Sequence, residues 1–291
     1  MVSIADRAML VTLRRGIFSA TKEDKAMTQE IASSHNTSTQ DVKVIKALFD
    51  QKSYQPVQRI YNEIYIYHRE NTLPWLDDGP RLITAACYLP YTQEIAAKTA
   101  RLEAAALAFA DDLDSIIDEA RQRLNGAFKD SDYPSRDEVL RRTYASVRFR
   151  FIADTSDARI QIGDEERARL IVTAKAEAQE ALALARTDLL ERIKTVTAKM
   201  ANTLRDYTPR QGDTRAQGTF KDTLVTNVRD LVNLLPALNL ADDPDITRFA
   251  DRLREDLCYA EPDDLRTDSL VRERIQRSAE SILADMVGYT G

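Results

Sequence analysis

Glycine, proline, cysteine and histidine are all scarce in this chain. Its 291 residues include 8 Gly, 9 Pro, 2 Cys and 2 His. Because turn formers are few and alanine is abundant, the sequence predicts a mainly α protein built from long helices. Two cysteines, Cys87 and Cys258, cannot form a disulfide framework, which is typical of proteins from a reducing cytoplasm.

Long apolar runs are also missing. No stretch of about 18 apolar residues is present, so we expect no membrane-spanning segment, and residues 1–15 lack the pattern of a signal peptide. Hydrophobic residues make up 43% of the chain, which is enough for a folded core. We therefore expect a cytoplasmic protein.

Motifs for cofactor, nucleotide or metal chemistry are absent from the sequence. The two histidines, His35 and His68, have no paired cysteines or His-Glu-x-x-His spacing to complete a zinc site. No glycine-rich loop is present to cradle a phosphate. We expect no cofactor, no metal and no enzymatic activity, with His68 as a structural histidine.

An acidic cluster supplies the one alternative that involves catalysis. On a continuous helix, Asp111, Asp114 and Asp118 would share a face and could hold Mg²⁺, with Asp112 beside them. A solvated helix face is the preferred interpretation, so a metal-dependent enzyme ranks last among the hypotheses.

Two long helices dominate the predicted architecture, which is elongated with a small inserted β-hairpin. One helix follows Pro90 from Tyr91 to Leu124, about 50 Å, and the other runs from Asp164 to Arg205, about 60 Å. Three regions are expected, namely an N-terminal helical region (1–163), a connecting helix (164–206) and an acidic helical unit (219–291). Shorter helices are predicted at 21–34, 41–49, 56–71, 220–235, 244–259 and 269–286, with a further short helix opening at Ser135 and a strand-like run at 9–13.

The predicted hairpin carries the main candidate surface. From Tyr144 the period becomes two, turn residues follow at 154–157, and 159–162 reads as the second strand. Arg142, Tyr144, Arg148 and Arg150 would then lie on the solvent side, where guanidinium groups bind phosphates and a tyrosine stacks on a base. The alternative is a solvated face that pairs with helix carboxylates or contacts a protein.

Charge distribution favours the protein partner over nucleic acid. Residues 241–268 contain ten acidic residues and four arginines, which equals the whole net charge of −6. Such a unit would repel a phosphate backbone and could contact a basic protein. This interpretation predicts no binding of single-stranded nucleic acid even at about 50 mM salt.

An apolar seam on the second long helix suggests self-association. The spacing of its members approximates an a/d heptad pattern, so we expect a homo-oligomer held by this helix. The seam residues are Leu182, Leu189, Ile193, Val196 and Met200.

A proline- and tryptophan-rich segment carries a family resemblance. It is preceded by 67–72 and is accompanied by Asp132-Tyr133-Pro134 before a short helix. Its characteristic residues are Leu73, Pro74, Trp75, Gly79 and Arg81, followed by Leu82 and Ile83. The segment resembles uncharacterised proteins of tailed phages and prophages over about residues 5–165, with Pro80 as a departure where a polar residue is expected.

The resemblance implies a phage origin and carries no activity with it. The sequence therefore predicts a non-enzymatic phage accessory protein that acts as an adaptor, inhibitor or assembly factor through protein–protein contacts. The leading alternative is a single-stranded nucleic-acid-binding protein of phage DNA replication or recombination.

Trp75 is expected to be substantially buried, as an anchor of its turn.

Overall fold

The computed structural model describes residues 4–76, 79–152, 163–209, 218 and 220–289, and the chain is mainly helical, as predicted. The helices are α1 (Ile4–Arg7), α2 (Lys25–Ser34), α3 (Gln51–Glu70), α4 (Ala85–Asp111), α5 (Leu113–Leu124), α6 (Arg136–Arg142), α7 (Asp164–Asp206), α8 (Thr223–Leu238), α9 (Pro244–Leu257), α10 (Pro262–Thr267) and α11 (Ser269–Met286). The strands are β1 (Ala8–Gly16), β2 (Thr21–Glu23), β3 (Ile45–Ala47), β4 (Leu73–Pro74), β5 (Pro80–Thr84) and β6 (Tyr144–Phe151). Two 3-10 turns, Asn125–Ala127 and Asp130–Asp132, follow α5.

Two small sheets accompany the helices. The larger has the strand order β4-β5-β1-β6, and in the smaller β2 pairs with β3. The pair β4 and β5 is antiparallel, with Leu73 opposite Leu82. Leu73, Leu82 and Ile83 are completely buried, so this part of the larger sheet belongs to the protein core.

The chain divides into two compact units, and each is assembled from separated segments. We name them the terminal unit (Met1–Val11, Asn71–Leu89 and Phe149–Gly291) and the middle unit (Thr12–Glu70 and Pro90–Arg148). These units do not coincide with the three sequential regions expected from the sequence. The reason is that β4 and β5 pack with the C-terminal helices α7 and α8.

The core of the middle unit is an aromatic cluster. Phe18, Phe49, Tyr54 and Phe109 lie together, with ring centroids 4.9 Å apart for Phe18 and Phe109 and 5.1 Å apart for Phe49 and Phe109. The Tyr54 hydroxyl donates to the Phe18 carbonyl over 2.8 Å, and burial raises the pKa of Tyr54 to about 12. Residues distant in sequence thus fasten α3 and α4 to the segment after β1.

Two predictions in the middle unit are wrong. The segment 41–49 is not a helix, because its residues Ile45–Ala47 form β3, which pairs antiparallel with β2 in the register Thr21 to Ala47. The helix expected from residue 21 begins only after Asp24, whose carboxylate caps α2 by accepting from the N–H groups of Ala26 and Met27.

The helix predicted from Tyr91 to Leu124 is also not continuous. Helix α4 starts earlier, at Ala85, and runs through Pro90 to Asp111. Asp112, with φ −89° and ψ 1°, leaves the helical conformation and separates α4 from α5. In the described part of the chain, the predicted pair of very long helices therefore reduces to one, the 43-residue α7.

Helix α7 packs along only part of its length. Its buried residues begin at Ala181, and this C-terminal half contacts α8, α9 and α11 within the terminal unit. Of the predicted seam, Leu189, Ile193 and Met200 are buried by residues of the same chain, while Leu182 and Val196 are partly buried. The prediction of an intermolecular seam is therefore wrong for the three buried residues, because their apolar stripe is used inside the fold.

Candidate interaction surface on strand β6

Strand β6 alternates between exposed and covered residues, as its sequence predicts. Tyr144, Ser146, Arg148 and Arg150 are exposed, whereas Ala145 is buried and Val147 and Phe149 are partly buried. Phe151, at the end of the strand, departs from this pattern with 86% exposure. The second strand expected at 159–162 lies outside the described residues, as does its turn at 154–157.

Arg142 does not belong to this strand surface. It is the last residue of α6, where its guanidinium pairs with Glu138 over 3.2 Å. Helix α6 starts with the predicted capping box, in which Ser135 and Glu138 each accept from the other's backbone N–H. The prediction that placed Arg142 on the strand is wrong, because α6 extends to this residue and a cation is stabilised at a helix C-terminus.

Gly16 of β1 reveals how the Tyr144 ring is placed. A Cβ atom added to Gly16 would lie 2.5 Å from Tyr144 Cε1 and 2.7 Å from the Arg142 carbonyl oxygen. The ring therefore leans over the β1 backbone at a position that has no side chain, and Tyr144 stays 46% exposed. This contact was not predicted from the sequence, where the strand-like run covers only 9–13.

The contact between Gly16 and Tyr144 also shows on which side of the sheet Arg14 lies. Since a side chain at Gly16 would point at Tyr144, and side chains two residues apart in a strand share a face, Arg14 lies on the Tyr144 side of the sheet. Arg14 is exposed, whereas Arg15 lies on the other side, with its guanidinium 4.0 Å from the Tyr61 ring centroid and 4.3 Å from that of Tyr65. We define the arginine face as Arg14, Tyr144, Ser146 and Arg148.

Within the described ranges, the arginines of this strand surface have no acidic partner. Among the residues that the structure describes, Arg14, Arg148 and Arg150 make no ion pair. The middle unit as a whole carries 18 basic and 18 acidic residues, so the arginine face is a local feature and does not reflect a general basic excess. Unpaired arginines on a strand are available to an anionic ligand.

We expect Gly16→Ala to lower the free energy of unfolding by about 1–3 kcal/mol, because the new methyl group would overlap the Tyr144 ring and a backbone oxygen. Urea unfolding followed by circular dichroism measures this loss. Gly126→Ala is the matched control, since an added Cβ there has no atom within 4 Å. Equal stability of the two variants would contradict the placement of Tyr144 over Gly16.

Residues of the proline- and tryptophan-rich segment have a structural role in the terminal unit. Arg81 Nε donates to the Thr72 hydroxyl over 2.7 Å, and Arg192 Nη2 of α7 donates to the Thr72 carbonyl over 2.7 Å. Gly79 has φ +115°, a conformation that favours glycine. Trp75 is only partly buried, as is Pro74, so the buried anchor of this segment is Leu73.

The acidic cluster does not form the shared helix face that the sequence predicted. Asp112 breaks the helix, so Asp111 and Asp118 belong to different helices, and they pair with Arg136 at 2.7 Å and Arg121 at 3.3 Å. No group of three or more metal-ligating side chains occurs in the described ranges. The shared face that the sequence suggested depended on an unbroken helix.

The two histidines differ in burial and in their surroundings. His35 is exposed at the end of α2. His68 is buried, and its Nδ1 lies 2.7 Å from the hydroxyl of Tyr91, whose pKa is raised by burial. His68 is thus a hydrogen-bonded structural histidine, in agreement with the sequence interpretation.

A buried ion cluster in the middle unit was missed by the sequence analysis. The Lys46 side chain is 4% exposed; its Nζ pairs with Asp132, lies 3.6 Å from Asp24 and donates to the Ala127 carbonyl over 2.8 Å. Lys22 also pairs with Asp132, over 2.8 Å. Ile45, the residue before Lys46, is 65% exposed. This strand therefore exposes an apolar residue and buries a charged one, which is the reverse of the usual pattern, and nothing in the sequence indicated that Lys46 is buried.

In the Lys46 cluster, the ammonium group and the carboxylates that face it are all charged at neutral pH. Hydrogen bonds from Lys22 and Lys46 hold the pKa of Asp132 below its usual value. Burial alone would lower the pKa of Lys46, but Asp132 and Asp24 outweigh burial, and the net shift is upward. The cluster joins β2, β3 and the turn at Asp130–Asp132, and it serves the fold.

The acidic residues of the C-terminal stretch are mostly engaged within their own unit. Hydrogen bonds from Arg7 and Arg229 hold the pKa values of Asp242 and Glu261 below their usual range. Asp264 and Asp268 accept backbone N–H groups at helix starts. Seven of the ten acids make ion pairs: Asp242, Asp243, Asp245, Asp251, Asp256, Glu261 and Asp263.

Comparison of this chain with protein-family models, with curated proteins and with solved structures gave no match. Within the described residues, no helix is both long and apolar enough to cross a membrane.

Proposed function

We propose that this chain is a non-enzymatic binding protein that holds a polyanionic partner on its arginine face. The observation that carries the proposal is the pair of exposed arginines on the sheet, Arg14 and Arg148, that make no ion pair among the described residues. Guanidinium groups without an internal carboxylate partner favour phosphate or carboxylate ligands. The resemblance of the Leu73–Arg81 segment to tailed-phage proteins makes a phage accessory role part of the proposal.

The ion pairs and helix caps formed by the acidic residues of 241–268 change which kind of partner we favour. The sequence favoured a protein partner because ten acids in 241–268 would repel phosphates. Most of these carboxylates are paired with arginines or cap helices, which reduces both their repulsion of a polyanion and their availability to a basic protein. An acidic protein segment is the competing occupant of the arginine face.

Fluorescence anisotropy tests the proposal. We expect a labelled single-stranded 30-mer to bind with a log–log salt slope of roughly −0.7 per phosphate contact, measured between about 50 and 200 mM salt. Arg14→Ala with Arg148→Ala should flatten the slope by about 1.4, which is two contacts.

The matched control replaces two exposed helix arginines, Arg169 and Arg277, with alanine, which removes the same charge and should leave the slope unchanged. A labelled polyglutamate of similar length represents an acidic protein segment. If neither probe binds at low salt, or if the control pair has the same effect as the Arg14 and Arg148 pair, the proposed function is wrong.

A further inference from the structure

We infer that the polyanion is single-stranded nucleic acid, with one unpaired base stacked on the ring of Tyr144. This inference rests on the proposed function and adds the class of ligand. It comes from the contact between Tyr144 and Gly16, which has no role in charge neutralisation.

The position of the ring makes it a stacking surface. Tyr144 leans over Gly16, where a Cβ would lie 2.5 Å from the ring, so the ring is supported by the sheet and still 46% exposed. A side chain at residue 16 would displace it. Gly16 is the last residue of β1, and a glycine in a strand often marks a place where another group approaches the backbone closely. Here that group is an aromatic ring presented to solvent.

The neighbouring arginines match a chain that carries bases and phosphates. Arg14 lies two residues from Gly16 on β1, about 7 Å along the strand, and Arg148 lies four residues from Tyr144 on β6, about 13 Å. Exposed Ser146 adds a neutral hydrogen-bonding group between Tyr144 and Arg148. An aromatic ring with cations one to a few nucleotides away is the arrangement that binds single strands without sequence preference.

A stacked base distinguishes this ligand from the other polyanions. A duplex hides its base faces within the stack, and an acidic peptide has carboxylates but no base. Both could contact Arg14 and Arg148, and neither would depend on the aromatic character of Tyr144. The tyrosine ring therefore separates recognition of a base from recognition of charge.

The test compares two labelled 30-mers that carry the same phosphates, oligodeoxythymidine and a fully abasic strand, in anisotropy titrations at about 50 mM salt. We expect the wild type to bind oligodeoxythymidine about tenfold more tightly than the abasic strand, within the range measured for one stacked base. Tyr144→Ala should abolish this preference and leave binding of the abasic strand unchanged. Tyr144→Phe should retain the preference.

Tyr144→Leu is the second variant, since leucine keeps an apolar cover over Gly16 without an aromatic ring, and it should also lose the preference. Circular dichroism melting verifies that each variant is folded. Equal binding of both strands by the wild type, or a preference that survives Tyr144→Leu, overturns the stacking inference and leaves charge recognition intact. Binding of polyglutamate without either strand identifies an acidic protein segment as the ligand, and failure of all three probes overturns the proposed function itself.

Discussion

Asp132→Asn is expected to lower the free energy of unfolding by about 3 kcal/mol, the lower end of the range for breaking a buried ion pair. The substitution leaves the Lys46 ammonium, whose side chain is 4% exposed, without its main counter-charge. Asp24, at 3.6 Å, and the Ala127 carbonyl would compensate only in part. Chemical denaturation at pH 7 measures the loss.

Two variants control this experiment. Asp130→Asn, two residues earlier, removes a surface carboxylate that pairs with Arg121, so a change within about 0.5 kcal/mol is expected. Lys46→Met removes the buried cation itself and should cost less than Asp132→Asn, because no uncompensated charge stays inside. If Asp132→Asn and Asp130→Asn are equally mild, the cluster does not hold the fold.

The same cluster predicts a pH dependence with a definite sign. The pKa of Asp132 is lowered in the folded state, so its contribution to stability is present above its unfolded pKa of about 3.9 and is lost as the pH falls through the folded value. The difference in stability between wild type and Asp132→Asn should therefore shrink below about pH 4.

Leu189→Asp is expected to unfold the protein or to cost more than about 4 kcal/mol, because Leu189 is 1% exposed in the packed half of α7. Removal of a buried leucine side chain alone costs about 2–5 kcal/mol, and an unpaired carboxylate adds the cost of desolvation. Urea denaturation gives the stability, and light scattering gives the mass relative to the 32.9 kDa monomer.

Leu184→Asp is the matched control on the same helix, since Leu184 is 38% exposed and should tolerate the charge. A Leu189→Asp variant that keeps wild-type stability but converts an oligomer into a monomer would restore the intermolecular seam that the sequence suggested.

Local sequence rules predicted those elements whose signals are complete within a few residues. The capping box of Ser135 and Glu138, the alternation of β6 and the strand-like run of β1 all depend on neighbouring residues, and the fold contains each of them. Two predictions of helical segments were wrong. Asp112 interrupts a helix that has no glycine or proline at the break, and Ile45–Ala47 form β3 because their pairing with β2 overrides the short helical pattern of 41–49.

The candidate surface was predicted in part. Tyr144, Arg148 and Arg150 followed from the strand period, since alternate residues must share a face. Arg14 and Gly16 could not be assigned from sequence, because their place beside Tyr144 depends on which strand lies next to β6. Arg142 was misassigned because a capped helix and a strand meet at that point, and the strand period alone does not show where α6 ends.

The sequence by itself determined that this protein is mainly helical and that strand β6 has an arginine-bearing side. It also contains no recognised motif for binding a metal or a nucleotide. These properties follow from composition and from periods of two or 3.6 residues. Only the tertiary structure decided that the stripe of α7 is core, that Lys46 is buried with Asp132, and that Tyr144 rests on Gly16. Each of these depends on contacts between segments far apart in the chain, where the burial of one residue is set by a partner that local periodicity does not specify.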